Sequence, residues 1–199
     1  MNKISIWNMA LGFIGTRTVA AEDERTLEAV QCGLYWDTAR RQALRDFPYN
    51  FAQRRACLAP VDKPDGYEEW VCAYALPQAC LSVQAVRQYG TGSGGLRHGG
   101  MPFQLSSNDD GNILLLTDAR PALLIYTADV QDSSRFDDTF AHMLARKLAA
   151  LVAIPLLKNN TAKMRELEEA YRQSLAGARL SAAGECRERE GADSWLYAR

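Results

Sequence analysis

The chain has 199 residues, of which 47% are hydrophobic and 24% are charged, and its formal net charge is −1. This length fits one domain or one domain with an inserted subdomain, and the apolar fraction is sufficient for a buried core. The balanced charge provides no global attraction to nucleic acid or to an anionic membrane.

Two helices are predicted at the N-terminal end. Apolar residues recur three and four positions apart between residues 3 and 14, which predicts a short amphipathic helix. Asn8 interrupts this run and no small-x-small cleavage site follows, so we do not expect a signal peptide. A longer helix is expected from the acidic residues 22–24 to Phe47, where Pro48 ends it. Its predicted apolar positions are Leu27, Val30, Leu34, Tyr35, Thr38, Ala43 and Leu44.

Residues 51–130 have the pattern of an antiparallel β region. Six short apolar or alternating runs are separated by Pro, Gly, Asn and Asp. The sequence NDDGN at 108–112 favours a hairpin, because Asp-Gly fits the turns that match strand twist. The glycine-rich segment 89–100 has no lysine and precedes a strand pattern, so we interpret it as a flexible hairpin loop rather than a phosphate site.

Helical spacing returns after residue 130 and continues in two segments. Serines and aspartates in 133–138 are expected to cap the third helix and to supply acids to its first turn. Pro155 should kink or end this helix near Ala153. Thr161 is expected to cap a fourth helix. The predicted apolar positions of the third helix include Phe140, Met143, Leu144, Leu148 and Val152.

These elements predict an α+β fold that is mainly helical. Residues 1–50 and 131–183 would form a discontinuous helical bundle, and residues 51–130 an inserted antiparallel β subdomain. Residues 184–199 are highly charged and end with two aromatic residues. They form either a frayed tail or an extended strap whose aromatic side chains dock on a neighbouring molecule.

Few residues are arranged for catalysis. The two histidines, His98 and His142, have no nucleophile motif or HExxH sequence beside them. The adjacent acid pairs are typical of turns and helix starts rather than of carboxylates that face each other across a cleft. Five cysteines without CxxC spacing predict reduced thiols in a soluble cytoplasmic protein. We therefore predict a protein that is not an enzyme and that has no metal site and no cofactor.

The sequence RDFPYNFAQRRACLAP at 45–60 joins the second helix to the first predicted strand. Pro48 ends the helix, Asn50 favours a turn, and Tyr49 and Phe51 would wedge the helix against the strand. We interpret these four residues as a structural corner. Arginine has a planar donor fork that suits interfaces, so the neighbouring arginines are candidates for a structural or subunit-contact role. They are Arg41, Arg45, Arg54 and Arg55.

Four motifs follow one another along the chain. They are R-x-x-x-L-x-x-x-P-Y-N-F-A from Arg40, W-x-x-A-Y-x-L-P-x-x-C-L from Trp70, Y-x-x-D-V-x-D-x-x-x-F-D from Tyr126, and W-x-x-x-R from Trp195. In this order they resemble the head-to-tail adaptors of short-tailed bacteriophages, the tail tubular protein A family. The resemblance covers about residues 4–199, with Tyr49 where tryptophan is common.

The resemblance implies a structural virion protein of the neck and tail that assembles in the host cytoplasm. It implies a ring, typically of twelve copies, between the portal at the capsid vertex and the tail nozzle. DNA would pass through the ring without sequence-specific binding, and no membrane is involved. The portal or subunit interface is expected to include strap residues and the arginines near the corner: Trp195, Leu196, Tyr197 and Arg199, with Arg41, Arg45, Arg54 and Arg55. The loop residues expected to contact the tail are Gly90, Gly92, Gly94, Gly95, Gly99 and Gly100.

Two other functions stay open at this point. One is a cell-wall hydrolase that acts during phage entry, for which Glu68 and Glu69 are the acids to replace. The other is a DNA-binding head-completion factor, which would bind DNA at low salt and release it as salt is added.

Overall fold

The computed structural model describes residues 1–88, 100–108, 110–157 and 160–185, with side chains as far as residue 179. The helices in these ranges are α1 (Lys3–Ile14), α2 (Leu27–Asp46), α3 (Asp138–Leu156) and α4 (Thr161–Glu185). The strands are β1 (Gln53–Cys57), β2 (Pro60–Val61), β3 (Cys72–Ala75), β4 (Cys80–Gln88), β5 (Phe103–Ser107), β6 (Ile113–Thr117) and β7 (Ala122–Ala128). The predicted α+β, mainly helical fold is confirmed.

Helix α3 is the central helix of the bundle. It packs against α1, α2 and α4, so both ends of the chain contribute to one helical core. Helix α3 is long and apolar enough to cross a membrane, a property that core helices of soluble proteins share. Two of the side chains that the spacing placed on its apolar face, Lys147 and Leu151, are only partly buried. The other five are buried: Phe140, Met143, Leu144, Leu148 and Val152.

The predicted apolar positions of α2 are wrong in the first half of the helix and correct at Ala43 and Leu44, which are buried. Leu27, Val30 and Leu34 are 55%, 57% and 67% exposed. Helical spacing identifies a helix but leaves open which side faces the core. Small side chains let α2 approach α3 closely, and the Trp36 ring meets the Trp7 ring of α1 edge-on at 6.4 Å. The buried side of α2 consists of Ala29, Cys32, Trp36, Ala39, Arg40, Ala43 and Leu44.

The start of α2 also differs from the prediction. The helix begins one residue after Thr26, whose side chain accepts a backbone hydrogen bond from the first turn. Glu22 and Glu24 were expected to stabilise the N-terminus of this helix. They instead form ion pairs with Lys3 at 2.6 Å and with Arg17 at 2.7 Å, in the connection before the helix.

Asp137 caps the third helix. Its carboxylate accepts a hydrogen bond from the backbone N–H of Phe140 at 2.6 Å. The serines expected to share this role, Ser133 and Ser134, lie in a separate 3-10 turn before the helix. An aspartate in place of a serine also puts a negative charge at the positive end of the helix dipole.

The ends of α3 and α4 correct two further expectations. Pro155 does not end α3 near Ala153: the helix continues to Leu156, and the backbone N–H of Leu157 donates to the Ala153 carbonyl at 2.9 Å. The alternative that Pro155 kinks the helix stays a prediction. Asn160, not Thr161, caps α4, since its side chain accepts a backbone hydrogen bond at 3.1 Å from the first turn. Asparagine and threonine both cap helices, so residue type alone could not decide which of these two neighbours is the N-cap.

The strands form two antiparallel sheets, with orders β1-β7-β4 and β2-β3-β6-β5. Each of the six predicted runs contains one strand, and β2 is an additional short strand. The predicted hairpin joins β5 to β6. Its turn places Gly111 at φ 79°, and the Asn108 side chain accepts a hydrogen bond from the Asn112 N–H at 2.8 Å.

The segment 62–71 folds over one face of the second sheet. The Tyr67 hydroxyl lies 2.5 Å from Ser106 Oγ, and the Trp70 indole N–H donates to Gln104 Oε1 at 3.0 Å. Gln104 pairs with Leu116, which identifies the covered face. The residues buried on this face are Ala73, Leu114 and Leu116.

Candidate functional site at the bundle–sheet junction

An aromatic cluster fills the junction between the bundle and the first sheet. Tyr49 is 4% exposed, and its ring centroid lies 4.8 Å from that of Phe140. The Tyr49 hydroxyl donates to the Met143 sulfur at 2.9 Å. Burial, with the nearby charges of Asp137 and Asp46, raises the pKa of this phenol well above its ordinary value. The members of the cluster are Phe47, Tyr49, Phe51, Phe136 and Phe140.

The corner residues differ in how deeply they are buried. Helix α2 ends at Asp46, Phe47 is extended, and Asn50–Ala52 forms a 3-10 turn that leads into β1. Pro48 and Asn50 are exposed, whereas Tyr49 is buried and Phe51 is partly buried. Tyr49 is therefore the main anchor of this turn.

Arg40 is a buried cation that ties α2 to the end of β7. Its side chain is 1% exposed and pairs with the Asp129 carboxylate. The same guanidinium donates to the Val130 carbonyl at 2.8 Å, and its other terminal nitrogen donates to Asp37 at 3.1 Å. Arg41 donates to the second Asp129 oxygen at 3.1 Å. The Asp129 carboxylate thus accepts hydrogen bonds from two successive arginines of α2.

The candidate arginines lie around this junction and contact their own chain. The Arg45 guanidinium donates to the Leu81 carbonyl at 3.3 Å, which links α2 to β4. Arg54 donates to the carbonyls of Phe51 and Gln53 at 2.9 and 2.8 Å. Arg41 remains 54% exposed and Arg55 is exposed. A contact with another subunit or with the portal stays a prediction for these side chains.

Three of the four sequence motifs meet at the junction. Arg40 in the first motif pairs with Asp129 in the third, and the rings of Phe51 and Phe136 join the same two motifs at 5.9 Å. Leu81, the last residue of the second motif, accepts the hydrogen bond from Arg45. Sequence reasoning did not select Arg40 or Asp129 as site residues, although both are fixed letters of their motifs.

Most of the strap and of the glycine-rich segment lies outside the described residues. This applies to the fourth motif and to every candidate loop glycine except Gly100. Gly100 lies against β4, where an added Cβ would be 3.3 Å from the Val86 carbonyl oxygen. The strap candidates outside the described residues are Trp195, Leu196, Tyr197 and Arg199, and the glycines are Gly90, Gly92, Gly94, Gly95 and Gly99.

One open cleft in the described part of the chain, of about 710 Å³, lies beside the β5–β6 turn and includes Asp62 and Asp110. Another, of about 420 Å³, lies at the junction beside Arg54, Asp129 and Arg135. Within the described ranges, no group of three or more His, Cys, Asp or Glu side chains is placed to hold a metal ion.

The residues weighed for catalysis lie apart from these clefts. Glu68 and Glu69 are exposed in the segment 62–71, where Glu68 accepts a hydrogen bond from the Gly66 N–H at 3.3 Å. His142 is exposed on α3 and meets the Phe13 ring edge-on at 5.6 Å. No described contact joins these acids to the histidine.

Comparison with known proteins adds no assignment. No protein-family model matches the chain, and no curated protein matches it either. The resemblance to the phage adaptors therefore depends on the four motifs and their order.

Proposed function

We propose that the chain is a structural virion protein, a ring-forming adaptor that joins the portal at the capsid vertex to the tail nozzle and lines the DNA channel. The observation that carries this proposal is the meeting of three resemblance motifs at one junction. Motifs that are far apart in sequence but share contacts form one structural unit, which supports their use together as a family signature.

A ring adaptor needs a fixed angle between its bundle and its β region, because every copy must repeat the same contacts around the ring. The Arg40–Asp129 pair and the aromatic cluster both join the two parts. A ring also needs an unsatisfied surface for the neighbouring copy. Leu27, Val30 and Leu34 supply exposed apolar area on α2.

The charge balance supports the channel role. Each phosphate contact made by a lysine or arginine holds DNA through counterion release, so a basic lining would slow the passage of DNA. A chain with a net charge of −1 avoids this strong general attraction.

Electron microscopy of the protein mixed with portal rings purified from the same virus tests the proposal. We expect an additional ring layer on the portal, and native mass spectrometry should give twelve copies in that layer. Portal rings that stay bare at saturating protein would overturn the proposal.

A chain truncated after residue 183 tests the strap within the same assay. We expect it to lose portal binding while its thermal unfolding stays close to that of the full chain. Unchanged portal binding would remove the strap from the interface.

A further inference from the structure

Helix α2 presents a row of apolar side chains that the described part of the chain leaves uncovered. Leu27, Val30 and Leu34 are more than half exposed and lie three and four positions apart, so they form one line along the helix. We call these three residues the stripe. Arg25 lies in the connection before the helix and is exposed; on the side of the stripe, the helix then carries the exposed Asp37, Arg41 and Arg45.

A second uncovered surface lies on the β region and has the opposite charge. Val61 and Val71 are 38% and 64% exposed. Val61 pairs with Ala73, two residues after Val71, which places both valines on the same side of the second sheet. The segment between them contains four acids and one lysine, a net charge of −3. We call this surface the loop face; it comprises Val61, Val71, Asp62, Asp65, Glu68 and Glu69.

The charges of the two surfaces are mostly not neutralised within the chain. In the described ranges, none of the four acids of the loop face forms an ion pair. The ammonium of Lys63 instead donates to the backbone carbonyls of Tyr67 and Trp70 at 3.0 and 2.8 Å. Arg25 likewise has no acidic partner among the residues that the structure describes, whereas Arg41 already donates to Asp129 at 3.1 Å.

We infer that the stripe of one copy docks on the loop face of the next copy. Each surface has an apolar centre, and the arginines that flank the stripe complement the acids of the loop face. The two surfaces belong to different elements, so one chain can contact one neighbour through its stripe and another neighbour through its loop face. A contact between two different surfaces is heterologous and closes into a ring when the rotation permits.

Pairing of two stripes would be an isologous contact between identical surfaces, which closes as a dimer and does not extend into a ring. The inference rests on the proposed function, because it names the subunit interface of the proposed ring.

The three side chains of the stripe cover much less than the roughly 800 Å² that each partner buries in a stable complex. Isolated copies should therefore associate only at high concentration.

A complementation experiment tests the contact. The stripe variant carries Val30→Asp and Leu34→Asp, and the loop variant carries Val61→Lys and Val71→Lys. Sedimentation velocity at roughly millimolar protein should show self-association of the wild-type chain and a loss of roughly tenfold or more in affinity for each variant alone. An equimolar mixture of the variants retains one intact surface pair. It should form dimers and nothing larger.

A matched control lies on the opposite face of the same sheet. Leu105 is 47% exposed and pairs with Leu115, away from the loop face. Leu105→Asp should leave self-association unchanged. Far-UV circular dichroism and thermal unfolding of all variants separate loss of contact from loss of fold.

The outcomes separate the contact from the proposed function. A loop variant that still dimerises, a mixture that stays monomeric, or a wild-type chain that shows no association would overturn the contact. A ring on the portal that both variants form as well as the wild type would also overturn it. Dimers in the mixture with a bare portal would support the contact and contradict the adaptor function.

Discussion

Replacement of Asp129 by alanine tests the junction, because it removes the carboxylate that pairs with the buried Arg40. Arg40 is 1% exposed, and its Nε atom has no hydrogen-bond partner among the described residues. Without Asp129 the guanidinium would keep only the Val130 carbonyl and Asp37, whose side chain is 74% exposed. Removal of one partner from a buried ion pair costs about 3–5 kcal/mol. We expect the free energy of unfolding to fall by about that amount.

Urea denaturation followed by far-UV circular dichroism measures this loss. Asp37→Ala is the matched control, because it removes an acid from the same arginine on the exposed side and should cost about 0–1 kcal/mol. The double variant Arg40→Met/Asp129→Ala removes both charges and should be more stable than Asp129→Ala alone.

Two results would refute the reasoning about this ion pair. Asp129→Ala and Asp37→Ala could lose the same stability, or the double variant could be less stable than Asp129→Ala. Either result would mean that Arg40 does not depend on Asp129 for its charge compensation.

Three further predictions concern the aromatic cluster, a helix cap and the thiols. Tyr49→Ala should cost about 3–5 kcal/mol in urea denaturation, and Phe51→Ala should cost less because its ring is only partly buried; equal losses would contradict this ranking. Asp137→Ala removes the N-cap of α3 and should cost about 1 kcal/mol in the same assay; an unchanged midpoint would show that the cap is not needed. Burial and the charge of Glu28 raise the pKa of the Cys32 thiol to about 12, so its contribution to stability is present below pH 9 and is lost as the pH rises towards 12. Iodoacetamide at pH 8 should therefore modify the exposed Cys57 first and Cys32 only after unfolding; equal rates in a peptide map would contradict this.

The sequence predicted the helices and strands better than it predicted which side of each helix faces the core. The apolar line of α3 was correct because large side chains occupy its buried face and few occupy the other. In the first half of α2 the large aliphatic residues Leu27, Val30 and Leu34 are exposed, whereas Ala29, Cys32 and Trp36 are buried. Hydrophobic spacing favours the bulkier side of a helix, so close packing through small residues reverses the prediction.

The junction was only partly predictable. The turn after α2 followed from Pro48, because proline restricts the residue before it. The partner of Arg40 did not follow, since Asp129 lies 89 residues away and nothing local links the two. Contacts between distant segments depend on the complete packing of the bundle against the first sheet.

The position of α3 in the chain has a consequence for the order of folding. Helices α1 and α2 are complete at residue 46, but the helix they pack on begins only at residue 138. At the usual speed of protein synthesis, on the order of ten seconds separates the two events. The tryptophans of α1 and α2 have no α3 to cover them during that time. The β region is therefore expected to fold first on the ribosome, and the bundle closes around a sheet that already exists.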